Sequence, residues 1–233
     1  MALYDREYAR QGAFGYESAS KNEAQIVSFV KETYKLFAAS MMAGAVGAYV
    51  GVPLAGVIQA NFILLAILEI GLLIGLHFVK HKPGINLAVM FGFVFMTGIT
   101  TAPLLARTLG MSGGETIIGN AFAMTSVVFG AMSFYAVKTT KDFTSYGKPL
   151  MIALFVILGF SILNIFLGNP MLHVAISGAV VLLFSVLVIY DTQNIMNGNY
   201  ETPIDGAIAL YLDFLNIFTA LLQLFGIFGG RDE

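Results

Sequence analysis

The sequence contains no cysteine and no tryptophan, and only 11% of its residues are charged. Without cysteine there can be no disulfide, no thiol nucleophile and no cysteine-ligated metal site. The net charge of −2 offers no basic surface for a nucleic acid, so we expect no nucleic-acid partner. Soluble domains carry about 25% charged residues. The scarcity of charge therefore argues against a soluble protein.

Apolar residues are abundant instead: they make up 58% of the chain, and the mean hydropathy is +0.81. The apolar runs reach about 20 residues, the length that a membrane-spanning helix requires. They are too long for strands and do not alternate, which also excludes a membrane β-barrel. We predict an all-α integral membrane protein, which has the lipid bilayer as a partner. The seven predicted spans are Thr33–Val52, Leu54–Val79, Asn86–Leu109, Thr116–Val137, Pro149–Leu167, Leu172–Met196 and Ala207–Phe228.

Lysine and arginine set the expected orientation, because cytoplasmic ends of spans are enriched in both. With seven spans, all but two of the 12 basic residues fall on one side of the membrane, and only Arg107 and Arg231 fall on the other. We therefore predict a polar cytoplasmic tail over residues 1–30 and a seven-helix domain over residues 31–233, with the C-terminus outside. The expected location is a plasma (inner) membrane. The residues on the cytoplasmic side are Arg6, Arg10, Lys21, Lys31, Lys35, Lys80, Lys82, Lys138, Lys141 and Lys148.

Two aspartates lie inside the last two predicted spans, Asp191 and Asp213. An aspartate at the centre of a membrane helix costs about 2.5–3.5 kcal/mol on insertion scales, so each is a candidate functional residue. Asp191 lies roughly 9 Å and Asp213 roughly 9–12 Å from the cytoplasmic edge of antiparallel neighbouring helices, so we expect them to face one another. Such a pair shares a proton and titrates in two coupled steps. When both are ionised, they form a hard-oxygen site that suits a transient Ca²⁺. The alternative is that backbone or hydroxyl groups satisfy each aspartate separately.

Four further polar residues are candidates for supporting this pair. Asn194 and Asn216 each follow an aspartate by three residues on the same helix face, where they could donate hydrogen bonds to the pair. Lys80, at the cytoplasmic end of the second span, could reach toward Asp191 as a latch. Glu69 lies near mid-membrane and could mark an ion path, or it could simply bond a hydroxyl or amide of a neighbouring helix.

Four short motifs resemble the Bax inhibitor-1 family of transmembrane proteins: residues 67–69, 97–100, 190–193 (Tyr-Asp-Thr-Gln) and 211–216 (Tyr-Leu-Asp-Phe-Leu-Asn). The resemblance covers about residues 30–230. It implies that the other six helices surround the last one. It also implies a pH-sensitive calcium leak in which Asp191 and Asp213 are sensor and gate. Calcium would be the permeant ion, and no cofactor is expected. Lys80 stands where bacterial members can carry a latch arginine, and a lysine cannot form a bidentate pair.

Two other functions fit the sequence less well or less directly. Intramembrane aspartyl proteases also place aspartates on adjacent helices, but their second motif is Gly-x-Gly-Asp. This chain has Tyr211-Leu212-Asp213 instead, so we do not expect the protein to be an enzyme. Some bacterial members of the family resembled are linked to a membrane-bound ATP-dependent protease as substrate or modulator, without transporting ions. The polar N-terminal tail would suit that role.

Overall fold

The structure, a computed structural model, describes residues 4–229, with side chains from residue 23 to residue 227. Within this range the chain is helical and contains no strand. Seven helical segments are long and apolar enough to cross a membrane, which confirms the predicted fold class. The helices are α1 (Tyr4–Gly51), α2 (Ala55–Ala60), α3 (Phe62–Val79), α4 (Ile85–Leu109), α5 (Gly114–Lys138), α6 (Gly147–Leu167), α7 (Pro170–Met196) and α8 (Pro203–Gly229).

The second span begins later than the sequence predicted. Instead of starting at Leu54, α3 starts at Phe62, and the residues before it form a 3₁₀ turn and the short helix α2. Pro53 has no amide hydrogen to continue α1, and Asn61 interrupts the helix again with φ −111° and ψ 18°. The Asn61 side chain donates to the Val57 carbonyl at 2.9 Å, which satisfies a free end of α2. Two local breaks therefore separate apolar residues that read as one run.

The last helix, α8, occupies the centre of the bundle. It contacts α1, α4, α5 and α7, whereas α3 packs mainly on α4 and α6 mainly on α7. Within an 18-residue apolar stretch of each span, half of the residues of α8 are buried inside the protein, whereas 33% or fewer are buried in every other span. The central position of the last helix is thus confirmed. Side chains of α3 and α6 face outward, and in a bilayer their surroundings are lipid.

Small residues allow α1 and α4 to cross at close range. A Cβ at Gly47 would lie 2.2 Å from the Phe95 carbonyl oxygen, and one at Gly98 would lie 2.1 Å from the Gly44 carbonyl oxygen. Only glycine permits such an approach, as is common between membrane helices. Gly71, on α3, plays no such role, because a Cβ added there would meet no atom within 4 Å.

Capping side chains fix the ends of the two helices that carry the aspartates. Asn169 accepts hydrogen bonds from the Met171 and Leu172 amides at 2.9 and 3.2 Å, and Pro170 begins α7. Thr202 and Asp205 exchange hydrogen bonds in a capping box that begins α8. As a result α8 starts at Pro203, four residues earlier than predicted.

The predicted division between tail and membrane domain at residue 30 is not marked by a helix end, because α1 runs through it. Residues 23–28 are exposed and residues 29 and 30 are half-buried. Side chains of residues 1–22 lie outside the described range. The cytoplasmic placement of the tail stays a prediction.

Candidate functional site

The carboxyl groups of Asp191 and Asp213 lie within hydrogen-bonding reach of one another, both buried, at 6% and 2% exposure. The register of the antiparallel helices explains the meeting. Ile195 packs over Gly206, where a Cβ would be 2.9 Å from Ile195 Cγ1, so Asp191 is level with about Leu210. Asp213 is three residues, or roughly 4.5 Å, farther along. Helical side chains lean toward their own N-terminus, so the two carboxyl groups lean toward each other and close this gap.

The two aspartates differ in their other partners. Asp191 Oδ1 accepts a hydrogen bond from the Tyr200 hydroxyl at 2.6 Å. Asp213 accepts no hydrogen bond from any hydroxyl, amide or cation among the described residues, and its Oδ2 is a buried atom without a partner. Two ionised carboxylates this close and this buried would repel each other strongly. A proton shared between them removes the repulsion and gives both a partner.

Tyr200 is the residue that sequence reasoning missed. It lies in the link between α7 and α8 (residues 197–202), and its half-buried ring covers Asp191 from the end of the bundle. Burial, and next the negative charge of Asp191, raise the pKa of Tyr200 above its ordinary value of about 10. The hydroxyl therefore remains a donor throughout the physiological range. The Asn199 amide donates to Asn194 Oδ1 at 2.9 Å and holds the same link.

Lys80 binds this link rather than Asp191. Its ammonium group is 2.5 Å from Glu201 and 3.8 Å from Asp205, and its side chain is 8% exposed. The expected direct contact with Asp191 is corrected: the intervening link places Glu201 nearer to α3. The ion pair raises the pKa of Lys80 and lowers that of Glu201.

The sign of these two pKa shifts gives the pH range of the ion pair. The lowered Glu201 pKa contributes stability above the ordinary value of about 4.3, and this contribution is lost as pH falls through the lower folded value. The raised Lys80 pKa contributes stability below about 10.4, and this is lost as pH rises through the higher folded value. The pair is therefore intact across the neutral range and does not sense pH there.

The two asparagines do not donate to the aspartates, contrary to expectation. The Asn194 amide donates to the Tyr190 carbonyl at 2.9 Å, and the Asn216 amide donates to the Leu212 carbonyl at 2.7 Å. Each side chain returns to the preceding turn of its own helix, where a carbonyl is always within reach. Asn194 still serves the site indirectly, since it anchors the link through Asn199.

The residues beside Asp191 tie α7 to the neighbouring link of residues 139–146. The Gln193 amide donates to the Lys141 carbonyl at 2.9 Å, and its oxygen accepts from the Phe143 amide at 2.7 Å. Thr192 approaches Ser133 of α5 at 3.5 Å. The motif at residues 190–193 therefore joins the aspartate site to two links and to α5.

Glu69 belongs to a different cluster. It accepts a hydrogen bond from Thr100 of α4, the alternative that the sequence left open. The neighbouring Thr97 hydroxyl lies 2.6 Å from the hydroxyl of Tyr211, which in turn donates to the Val94 carbonyl at 3.1 Å. This polar chain crosses from α3 through α4 to α8 and ends two residues before Asp213.

The aspartate pair does not by itself make a resident metal site. Among the described residues there is no group of three histidine, cysteine, aspartate or glutamate side chains that could hold a metal ion. Calcium takes 6–8 oxygen ligands, and two carboxylates offer at most four. Two carboxylates alone therefore do not complete a calcium coordination shell.

Comparison with known proteins gives concordant matches. A family model described as "Inhibitor of apoptosis-promoting Bax1" (Bax1-I) matches residues 26–230. An uncharacterized protein of Campylobacter jejuni is 47% identical over 99% of this chain and 100% of its own length. One from Helicobacter pylori is 46% identical over the full length of both chains. The Escherichia coli protein named "Modulator of FtsH protease YccA" is 34% identical over 68% of this chain and 73% of its own.

Proposed function

Because this chain belongs to the Bax inhibitor-1 (Bax1-I) family of multi-pass membrane proteins, we propose that it is a pH-sensitive cation leak that passes Ca²⁺ and is gated by Asp191 and Asp213. The observation that carries the proposal is the pair of buried carboxyl groups that lie against each other, one of which also accepts a hydrogen bond from Tyr200, here called the tyrosine lid. A carboxyl pair of this kind inside a membrane bundle has few purely structural uses, because apolar residues would pack there at lower cost.

The bundle around the pair corresponds to a closed conformation. The residues that follow toward the other end of α7 and α8 include Val188, Ile217 and Leu222, fully buried apolar side chains that offer a hydrated ion no polar contact. A crevice of about 520 Å³ between α1, α4, α5 and α8 reaches Tyr211 and Phe214 but not the carboxyl groups. Opening therefore requires α7 and α8 to separate at the aspartates.

Loss of the shared proton supplies the force for that separation. With one proton between them, the carboxyl groups attract each other and hold α7 against α8. When it leaves, two negative charges face each other in an apolar setting and repel, and the same charges attract a cation. The leak should thus increase with pH. The Lys80–Glu201 pair keeps its charge in this range, so it acts as a passive latch on the link rather than as the sensor.

Calcium flux into proteoliposomes across pH tests this mechanism. We expect the wild-type leak to rise with pH, and Asp191→Asn and Asp213→Asn each to flatten the profile, because neither variant can carry two charges at the site. Asp142→Asn is the matched control: it removes a charge from an exposed link without touching the pair. Identical profiles in all four proteins, or a leak that falls with pH, would contradict the proposed gate.

A second candidate function is a non-transporting regulator or substrate of a membrane-bound ATP-dependent protease. The observation that favours it is the 34% identity with the Escherichia coli modulator of FtsH. On this proposal the N-terminal tail, with its polar residues, is the segment that the protease engages. The orientation proposed from the basic residues, with the N-terminus in the cytoplasm, gives a cytoplasmic protease access to it.

Removal of residues 1–22 separates the two candidates. If the protein is a non-transporting regulator or substrate, the truncated chain should lose co-purification with the FtsH-type protease, and neither the full chain nor the truncated chain should pass calcium. If the protein is a leak alone, co-purification is absent in both forms. Asp213→Asn serves as the reciprocal control: it should change calcium flux if the protein is a leak, and it should leave co-purification intact if the protein is a regulator.

A further inference from the structure

Two buried side-chain atoms have no hydrogen-bond partner within the described residues: Asp213 Oδ2 and Ser40 Oγ. Ser40 lies on α1 at 0% exposure. Buried polar atoms are nearly always paired, and each exception calls for a specific explanation. The shared proton with Asp191 pairs one Asp213 oxygen and leaves the other in need of a donor. Ser40 carries a hydroxyl donor in need of an acceptor.

Ser40 differs from most membrane serines of this protein; Ser133 also lacks the usual bond to its own helix, but it accepts a hydrogen bond from Thr192. A serine inside a helix ordinarily donates to the carbonyl four residues earlier. Ser40 makes no such bond to Leu36, and its hydroxyl has no other partner among the described residues. Four serines of the other helices show the ordinary bond, at 2.6–3.0 Å: Ser126 to Phe122, Ser161 to Ile157, Ser177 to His173 and Ser185 to Val181.

The register between α1 and α8 brings Ser40 to the level of Asp213. Thr33 of α1 packs on Gly206 of α8, where a Cβ would be 3.0 Å from Thr33 Cγ2. As the first and seventh spans, the two helices cross in the same direction. Ser40 and Asp213 each follow that contact by seven residues, which is two turns on the same face and about 10.5 Å of rise. The hydroxyl end of the long Tyr211 side chain lies against Gly44, which keeps the two helices in contact beyond Ser40 but does not define the backbone register.

We infer that Ser40 is a third member of the aspartate site, joined to Asp213 through one bridging water molecule held between α1 and α8. The two side chains make no direct hydrogen bond, and a water bonded to both would pair both atoms. The inference rests on the proposed function only where it calls the aspartate pair a gate. The hydrogen bonds themselves require the pair to be present and do not require ion flow.

Infrared difference spectra of the purified full chain in acid test the bridge without any ion gradient. Wild type minus Asp213→Asn isolates the carbonyl stretch of protonated Asp213. In the Ser40→Ala background this band should move to higher wavenumber, because the carbonyl loses a hydrogen bond. Ser185→Ala, which removes a back-bonded hydroxyl of α7, should leave the band in place. A water O–H band that shifts in H₂¹⁸O should be present in wild type and lost in Ser40→Ala.

An Asp213 band at the same position in wild type and Ser40→Ala would overturn the inference. A band that moves without any ¹⁸O-sensitive water signal would overturn the bridging water. Because neither measurement depends on transport, a protein that passes no calcium but shows both changes would refute the leak and keep this site. Thermal melting of Ser40→Ala checks that this variant folds. Ser40→Thr, which retains the hydroxyl, provides the conservative comparison in the same measurement.

Discussion

Replacement of Tyr200 by phenylalanine tests whether the tyrosine lid holds the gate shut. The change deletes one hydroxyl and leaves the ring, so packing over Asp191 is kept. What is lost is a 2.6 Å hydrogen bond to a buried carboxyl oxygen. The proposed gate holds this bond only while the link of residues 197–202 covers the pair, so its loss destabilises the closed conformation relative to the open one.

The size of the effect follows from the nature of the bond. Hydrogen bonds to charged groups contribute about 1.5–3 kcal/mol, and 1.4 kcal/mol corresponds to a tenfold change in an equilibrium constant. The open population of Tyr200→Phe should therefore rise roughly 10- to 100-fold. Because the Tyr200 hydroxyl stays protonated, the increase should appear over the pH range in which the carboxyl pair still shares its proton and the wild-type gate is closed.

Calcium flux in proteoliposomes measures this increase, with Tyr146→Phe as the matched control. Tyr146 also lies in a link, is 52% exposed, and its hydroxyl has no hydrogen bond to the described residues. Tyr146→Phe should leak at the wild-type rate. Equal rates for wild type and Tyr200→Phe across the pH range would refute the reasoning that the link closes the gate.

Three further outcomes follow from the packing and the links. Gly98→Ala should lower the melting temperature, at a cost of about 1–3 kcal/mol for overpacking at the α1–α4 crossing, while Gly71→Ala should match wild type. Gln193→Ala should speed hydrogen–deuterium exchange in residues 139–146, whose backbone it holds; unchanged exchange would contradict that anchoring. Lys80→Met should speed exchange in residues 197–202. Exchanging the charges of Lys80 and Glu201 should restore the protection in part, because the exchange also brings a carboxylate near Asp205; a merely steric contact would give no recovery.

The aspartate pair was predictable because its position depends on few variables. Two antiparallel helices joined by a short link bring residues at similar depth together, and a carboxyl group in an apolar run is conspicuous in any sequence. The roles of the asparagines were not predictable in the same way. An amide three residues from an aspartate can reach either the pair or its own backbone, and only the side-chain conformation decides between them.

Local sequence was sufficient to specify a helical chain with seven membrane spans and an aspartate inside each of the last two. These properties follow from hydropathy and from helix geometry, which a residue and its near neighbours define. Two contacts needed the folded bundle: Tyr200 donates a hydrogen bond to Asp191, and Lys80 binds Glu201. Those contacts depend on the path of a link and on the rotation of helices far apart in the chain. Both are fixed by packing around α8 as a whole, and no local pattern of residues encodes them.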